Sequence, residues 1–96
     1  MNFLAAKIFI EIEGAHSLKD KRSILNRLKA CIFKKFKITV IEDSRQDKHN
    51  EAVLGLVFAS LSADHCSAKY NEMISCIELQ GFRIIEEIHE AHDWHE

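Results

Sequence analysis

The sequence predicts an α+β domain in which two helices cover one face of a four-stranded antiparallel sheet. Three observations support this class. The 96 residues, 47% of them apolar, suffice for one core; apolar positions switch between period-2 and helical spacing; and no proline or low-complexity stretch marks a linker. We therefore expect residues 1–96 to form one domain, with 90–96 as a mobile tail.

The first strand and the first helix have clear local patterns. The strand is predicted over 3–13, where isoleucines alternate with other residues in the second half, and Gly14 ends it. Ser17 then stands three residues before Asp20, an acidic variant of the capping box that opens a helix running to about Phe36. The apolar side of this helix is predicted to comprise Ile24, Leu25, Leu28, Ile32 and Phe36.

The rest of the chain adds three strands and one helix. The β-branched segment 37–43 predicts the second strand, and 52–61, apolar on both faces, predicts a central third strand. Ser62 caps a second helix, Gly81 suits its C-terminal cap, and 82–89 alternates as a fourth strand. The apolar stripe of this helix is Cys66, Tyr70, Met73, Ile74 and Ile77.

The predicted order is βαββαβ. Two right-handed βαβ crossovers, interleaved in one sheet with both helices on one face, give the ferredoxin-like arrangement, in which strands one and three are central. The connection between strands two and three then lies at the same end of the sheet as the start of the first helix. We therefore expect residues 16–22 and 43–51 to be neighbours.

The chain also resembles a known family. The segment "SLKDKR" at 17–22, the pair "QD" at 46–47 and "AVLG" at 52–55 are similar to the YlxP-like family of small bacterial proteins, and the resemblance spans roughly 5–90. The chain departs from many relatives in carrying His49 where they have tryptophan. The resemblance implies a ferredoxin-like fold, a bacterial cytosolic setting and a gene context of translation and ribosome maturation, with no established activity.

Charge is unevenly distributed along the chain. The totals nearly balance, with 13 basic and 15 acidic residues, but the stretch 19–37 has eight cations and one acid. Lys19, Lys21 and Arg22 fall in the first turns of the helix, where its dipole disfavours cations by about 0.3–1 kcal/mol each. Lys21 lies within the apolar stripe, so it is predicted to reach past the core toward the carboxylates of the nearby connection. These are Glu42, Asp43 and Asp47.

An external anion is the alternative partner for this end of the molecule. Ser17, Lys19, Arg22 and Arg45 are candidate ligands of a phosphate at the helix N-terminus. His16, Lys21, Asp43, Asp47 and His49 are candidate supporting residues. No glycine-rich phosphate loop is present, so a nucleotide-hydrolysing site is not expected.

The outward line of the first helix is also basic. It includes Lys19, Arg27 and Lys34, which either form a solvated face or contact an RNA backbone without sequence discrimination. The third strand lacks the basic, glycine and aromatic pattern of a sheet-face RNA binder.

The second face of the sheet is predicted to be open and apolar. Phe9 must point outward there, together with either Val53 and Val57 or the set containing Leu54, Leu56 and Phe58. Such a patch usually marks an interface, and a two-fold homodimer is the commonest way to cover it. A heterologous partner on the same face is the competing interpretation.

Other chemistries have weaker support in the sequence. The odd cysteine count and the lack of CxxC spacing disfavour a disulfide framework or a structural zinc site. His89, His92 and His95 have no recognised metal-ligand spacing, and nothing fixes His16, Ser17 and Asp47 as a catalytic triad. We therefore expect no metal, no cofactor and no enzymatic activity.

The sequence favours a cytosolic, dimeric binding protein, with no leader or membrane span expected. Its first helix would contact RNA or a ribosome-assembly component. The alternative is a homodimeric protein-interaction module without nucleic-acid binding.

Overall fold

A computed structural model describes residues 1–45 and 47–95, and its element order is βαββαβ. The strands are β1 (Asn2–Glu11), β2 (Val40–Ser44), β3 (Glu51–Ser60) and β4 (Arg83–Asp93). The helices are α1 (Leu18–Phe36) and α2 (Ala63–Leu79). All neighbouring strands are antiparallel, and their order in the sheet is β2-β3-β1-β4. The predicted ferredoxin-like fold with β1 and β3 at its centre is confirmed.

One face of the sheet packs against both helices and forms the core. Alternate residues of β1 and β3, such as Ile8, Ile10 and Leu54, are fully buried there, because period-2 alternation sends every second side chain to the same face. The helices contribute stripes at helical spacing. These stripes are Leu25, Leu28 and Ile32 from α1, and Cys66, Tyr70, Met73 and Ile77 from α2.

Side-chain caps begin both helices as predicted. The Asp20 amide donates a hydrogen bond to Ser17 Oγ at 3.1 Å, and the His16 amide donates to Asp20 Oδ2 at the same distance. Ser62 Oγ accepts from the His65 amide at 3.1 Å. Beyond α2, Gly81 adopts a φ of +93°, a backbone conformation for which glycine is favoured.

The two outer strands differ from their predicted lengths. β2 begins at Val40 rather than at 37, because Lys37 takes a left-handed conformation (φ 58°) that caps α1. β4 runs to Asp93 rather than ending at 89, because its second half pairs with the start of β1, where Asp93 lies opposite Asn2.

The extension of β4 affects the segment for which the sequence suggests mobility. Residues 90–93 lie in β4 rather than in a tail, and the Trp94 amide donates a hydrogen bond to the Met1 carbonyl oxygen at 2.6 Å. Glu96, the end of that segment, and Gln46 of the "QD" pair lie outside the described residues. Neither of the two described helices is long and apolar enough to cross a membrane.

Candidate nucleic-acid interface

The side of α1 that faces away from the core carries a row of cations, which we call the basic face of α1. It consists of Lys19, Arg22, Arg27 and Lys34. All four residues are exposed, and within 1–45 and 47–95 none of them forms an ion pair with a carboxylate. Their positive charge is therefore not neutralised by the described part of the chain.

Lys21 differs from these four cations because it is buried, with 2% of its surface exposed. Its Nζ lies 2.7 Å from Glu42 Oε2 and donates hydrogen bonds to the carbonyl oxygens of Arg45 (2.7 Å) and Lys48 (2.5 Å). The ammonium thus joins the first turn of α1 to the connection between β2 and β3. The predicted proximity of 16–22 and 43–51 is confirmed.

Arg45 points away from α1. Its Nη1 lies 3.5 Å from Glu51 Oε2, and its guanidinium carbon lies 5.2 Å from the centre of the Phe9 ring. Phe9 alternates with the buried Ile8 and Ile10, so this guanidinium lies on the sheet face opposite the helices. The structure therefore does not bring Arg45 together with the basic face of α1.

The remaining candidates at this end are split in the same way. The Ser17 hydroxyl and the His16 amide are engaged with Asp20 at the helix cap. Asp43 Oδ2 lies 3.0 Å from Lys7 Nζ on the open sheet face. Asp47 and His49 are exposed on the connection. The geometry thus divides the expected anion site into the exposed basic face of α1, residues that contact their own chain, and two exposed residues on the connection.

The open sheet face holds a shallow depression of about 540 Å³, which we call the sheet depression. Its centre is low because Gly55 has no side chain, and a Cβ there would lie 3.2 Å from the Ile41 side chain. Of the two sets considered for the outward face of β3, Val53 and Val57 lie there, while Leu54, Leu56 and Phe58 belong to the core. Apolar side chains that line the depression are Ala5, Ile41, Val57 and Ile88.

Sequence reasoning predicted an apolar open face but missed the depression. Its centre combines Gly55 of β3 with Lys7 of the neighbouring strand, which lie opposite each other in the register. A pairing between residues that are distant in sequence cannot be deduced from either strand alone.

The histidine-rich end forms pairs rather than a cluster. His92 Nε2 lies 3.2 Å from Glu90 Oε2, and His95 Nε2 lies 3.3 Å from Asp93 Oδ2. Among the residues that the structure describes, no group of three or more His, Cys, Asp or Glu side chains is arranged to hold a metal ion.

A tyrosine lies between α2 and β4. The Tyr70 hydroxyl donates a hydrogen bond to Glu87 Oε1 at 2.7 Å, and the ring lies 4.9 Å from that of His89. Burial raises the pKa of Tyr70 well above its ordinary value. The hydrogen bond to Glu87 and the negative charge of the Glu87 carboxylate raise the pKa further. The neutral phenol is therefore the form that the folded chain stabilises.

This raised pKa predicts a loss of stability in alkali. Because the folded-state pKa exceeds the unfolded value of about 10, the stabilisation from Tyr70 is complete below that pH and is lost as the pH rises toward the folded pKa. The chain has a single tyrosine, so tyrosinate absorbance reports on this residue alone. We expect Tyr70 to ionise at higher pH in the native protein than in the urea-unfolded chain. Glu87→Gln should reduce the difference between these two pKa values. Equal titration curves for native and unfolded chains would contradict the raised pKa of Tyr70.

The fold and these surfaces define a class of protein: a small ferredoxin-like α+β domain with a basic outer helix and an open apolar sheet face. A family model described as "Protein of unknown function (DUF503)" matches residues 3–89. The chain belongs to this family. The match agrees with the expectation of a family of small proteins without an established function. No curated protein matches the chain.

Two solved structures share the chain path. One is a protein from Deinococcus radiodurans, provisionally described as an antibiotic biosynthesis monooxygenase, with 12% identity, a TM-score of 0.45, and coverage of 100% of this chain and 94% of that one. The other is a mutant of SnoaB, a cofactor-independent oxygenase from Streptomyces nogalater, with 13% identity, a TM-score of 0.47, and coverage of 98% and 94%.

These similarities correct one expectation. The sequence led us to expect no enzymatic activity, whereas both of these structures are described as oxygenases, so that expectation is withdrawn. At such low identity the likeness concerns the fold alone, so it assigns no reaction to this chain.

Proposed function

We propose that the protein binds RNA through the basic face of α1, by contacts to the phosphate backbone. The observation that supports this most is that Lys19, Arg22, Arg27 and Lys34 are exposed and form no ion pair within the described residues. A cation that already pairs with a neighbouring carboxylate adds little to the affinity for a polyanion. An unpaired cation that contacts a phosphate releases counterions from the polyanion, and this release favours binding.

The length of the basic face suits a polymer rather than a single anion. Lys19 and Lys34 are 15 positions apart, which at 1.5 Å per residue is about 22 Å along the helix. A row of this length can follow several successive phosphates. Contacts to phosphates carry no sequence information, so we expect binding with little sequence preference.

Four acidic residues lie on the strand at the far edge of the sheet. α1 packs against β2, whereas α2 packs against β4, and β2 and β4 are opposite edges of the sheet. β4 carries Glu86, Glu87, Glu90 and Asp93. A polyanion that approaches α1 is therefore kept away from these four carboxylates.

The family resemblance suggests where such binding takes place. A YlxP-like protein belongs to a bacterial cytosol and to a gene context of translation and ribosome maturation, so RNA in ribosome assembly is the partner that we propose. The test is the salt dependence of the affinity for a labelled RNA, compared between the wild-type chain and a variant without the four cations, as set out in the Discussion.

The sheet depression supports a second candidate function, homodimerisation through the open sheet face. Ile41 and Val57 border the depression with 57% and 63% of their surfaces exposed. The cation among its lining residues, Lys7, is paired with Asp43 of the same chain. This pairing lowers the like-charge repulsion between two identical faces, although Glu90 also lines the depression, and so favours a second copy over a charged heterologous partner.

Val57→Asp tests the dimer. We expect the substitution to shift the protein from dimer to monomer in sedimentation-equilibrium measurements, because two copies would each bury an unpaired carboxylate. Leu79→Asp, at an exposed position on α2 outside the sheet face, is the matched control and should leave the mass unchanged. A wild-type chain that remains monomeric at high micromolar concentration would rule this candidate out.

A further inference from the structure

Two cysteines meet between the helices, far apart in sequence. Gln80 Nε2 donates to Cys31 Sγ at 3.2 Å and to Cys76 Sγ at 3.3 Å. The two sulfur atoms are therefore no farther apart than the sum of these distances. Cys31 belongs to α1 and Cys76 to α2, so the pair bridges the two helices.

The two thiols differ in exposure. Cys31 is partly exposed, whereas Cys76 is buried with 7% of its surface exposed. The third cysteine, Cys66, is 1% exposed within the core. A small oxidant from solvent therefore meets Cys31 first, and Cys76 is the thiol poised beside it.

We propose that Cys31 and Cys76 are a peroxide-reactive thiol pair that forms an intramolecular disulfide. In the first step the Cys31 sulfur attacks a hydroperoxide, breaks its O–O bond and becomes a sulfenic acid, while the peroxide leaves as an alcohol, or as water from hydrogen peroxide. In the second step the Cys76 sulfur attacks the sulfenic sulfur, and the S–O bond breaks to release water. Two thiols are oxidised, and one peroxide is reduced by two electrons.

The surroundings of the pair suit the second step. Lys35 Nζ lies 3.9 Å from Cys76 Sγ and places positive charge beside the attacking sulfur. A disulfide needs the sulfurs about 2.0 Å apart, so the flexible Gln80 side chain must withdraw and both cysteine side chains must rotate about their Cα–Cβ bonds. The new bond would tie α1 to α2 and close residues 31–76 into a loop, which raises the thermal midpoint.

The test uses the whole reduced chain, treated with hydrogen peroxide, alkylated under denaturing conditions and digested with trypsin. Before alkylation, we expect the intact mass of the oxidised chain to be lower than that of the reduced chain by two hydrogen atoms. After digestion, we expect the peptide of residues 30–34 to be linked to the peptide of residues 70–83. The peptide 49–69, which contains Cys66, should carry the alkyl label. The oxidised chain should unfold at a higher temperature than the reduced chain.

Three single variants make the assignment specific. Cys31→Ser and Cys76→Ser should each abolish the linked peptide, whereas Cys66→Ala should retain it in the same yield. The proposal is overturned if the oxidised wild type yields no linked peptide, if the link involves Cys66, or if the only disulfides join separate chains.

Discussion

Lys21→Met is expected to lower the free energy of unfolding by about 3 kcal/mol, because it removes a buried ammonium that pairs with Glu42 and donates to two carbonyl oxygens. The Lys21 ammonium contacts Glu42 and donates hydrogen bonds to two carbonyl oxygens of the β2–β3 connection. Methionine matches the aliphatic part of the lysine side chain in length but has no donor. Urea unfolding at neutral pH measures the change.

The control for this prediction is Lys19→Met, two residues earlier on the same helix. Lys19 is exposed and unpaired in the described part of the chain, so its replacement should change stability by less than about 0.5 kcal/mol. Adding Glu42→Gln to Lys21→Met should recover part of the loss, because the partly exposed Glu42 carboxylate then no longer faces an apolar side chain. A stability change for Lys21→Met no larger than that for Lys19→Met would show that the buried contacts contribute little.

Simultaneous replacement of Lys19, Arg22, Arg27 and Lys34 by alanine is expected to weaken RNA binding on the order of 100-fold at about 0.1 M salt. Each phosphate contact contributes about 0.7–0.9 to the magnitude of the negative slope of log affinity against log salt. The loss of four contacts should therefore reduce that magnitude by about three units. Fluorescence anisotropy of a labelled RNA over a range of salt concentrations gives both quantities. Alanine is a strong helix former, and all four positions are exposed, so α1 should persist.

A charge-matched control separates location from net charge. It removes four cations that lie outside the basic face of α1, namely Lys7, Lys48, Lys69 and Arg83. Both variants change the net charge by the same amount, but we expect the control to retain most of the affinity and slope. RNA binding that is undetectable at low salt in the wild type, or equal losses in both variants, would refute the proposed interface.

Local patterns in the sequence were sufficient to predict the helices. The Ser17 cap and the spacing of Leu25, Leu28 and Ile32 depend on residues within a few turns, so they predicted α1 and its buried side. The same spacing placed Lys21 within the apolar stripe and so predicted its inward direction. The partner that it meets, Glu42, was among the three carboxylates considered.

Features that depend on distant parts of the chain were not predicted. The end of β4 was missed because its polar residues 90–93 become a strand only by pairing with β1. The direction of Arg45 was missed because the register between β2 and β3 shifts between Glu42 and Ser44, and Arg45 itself takes a positive φ of 61°. The expectation of a non-enzyme was inferred from the lack of a motif, and the descriptions of the two similar structures contradict it.

Basic α1 and acidic β4 lie over opposite edges of the sheet, and this separation of charge contributes to the electric dipole moment of the molecule. In the field of a polyanion such a moment experiences a torque, which turns the helix toward the phosphates before the surfaces touch. A larger fraction of collisions then has the orientation needed for binding, which raises the association rate constant. This rate constant decreases with added salt, because the ions shorten the range of the field.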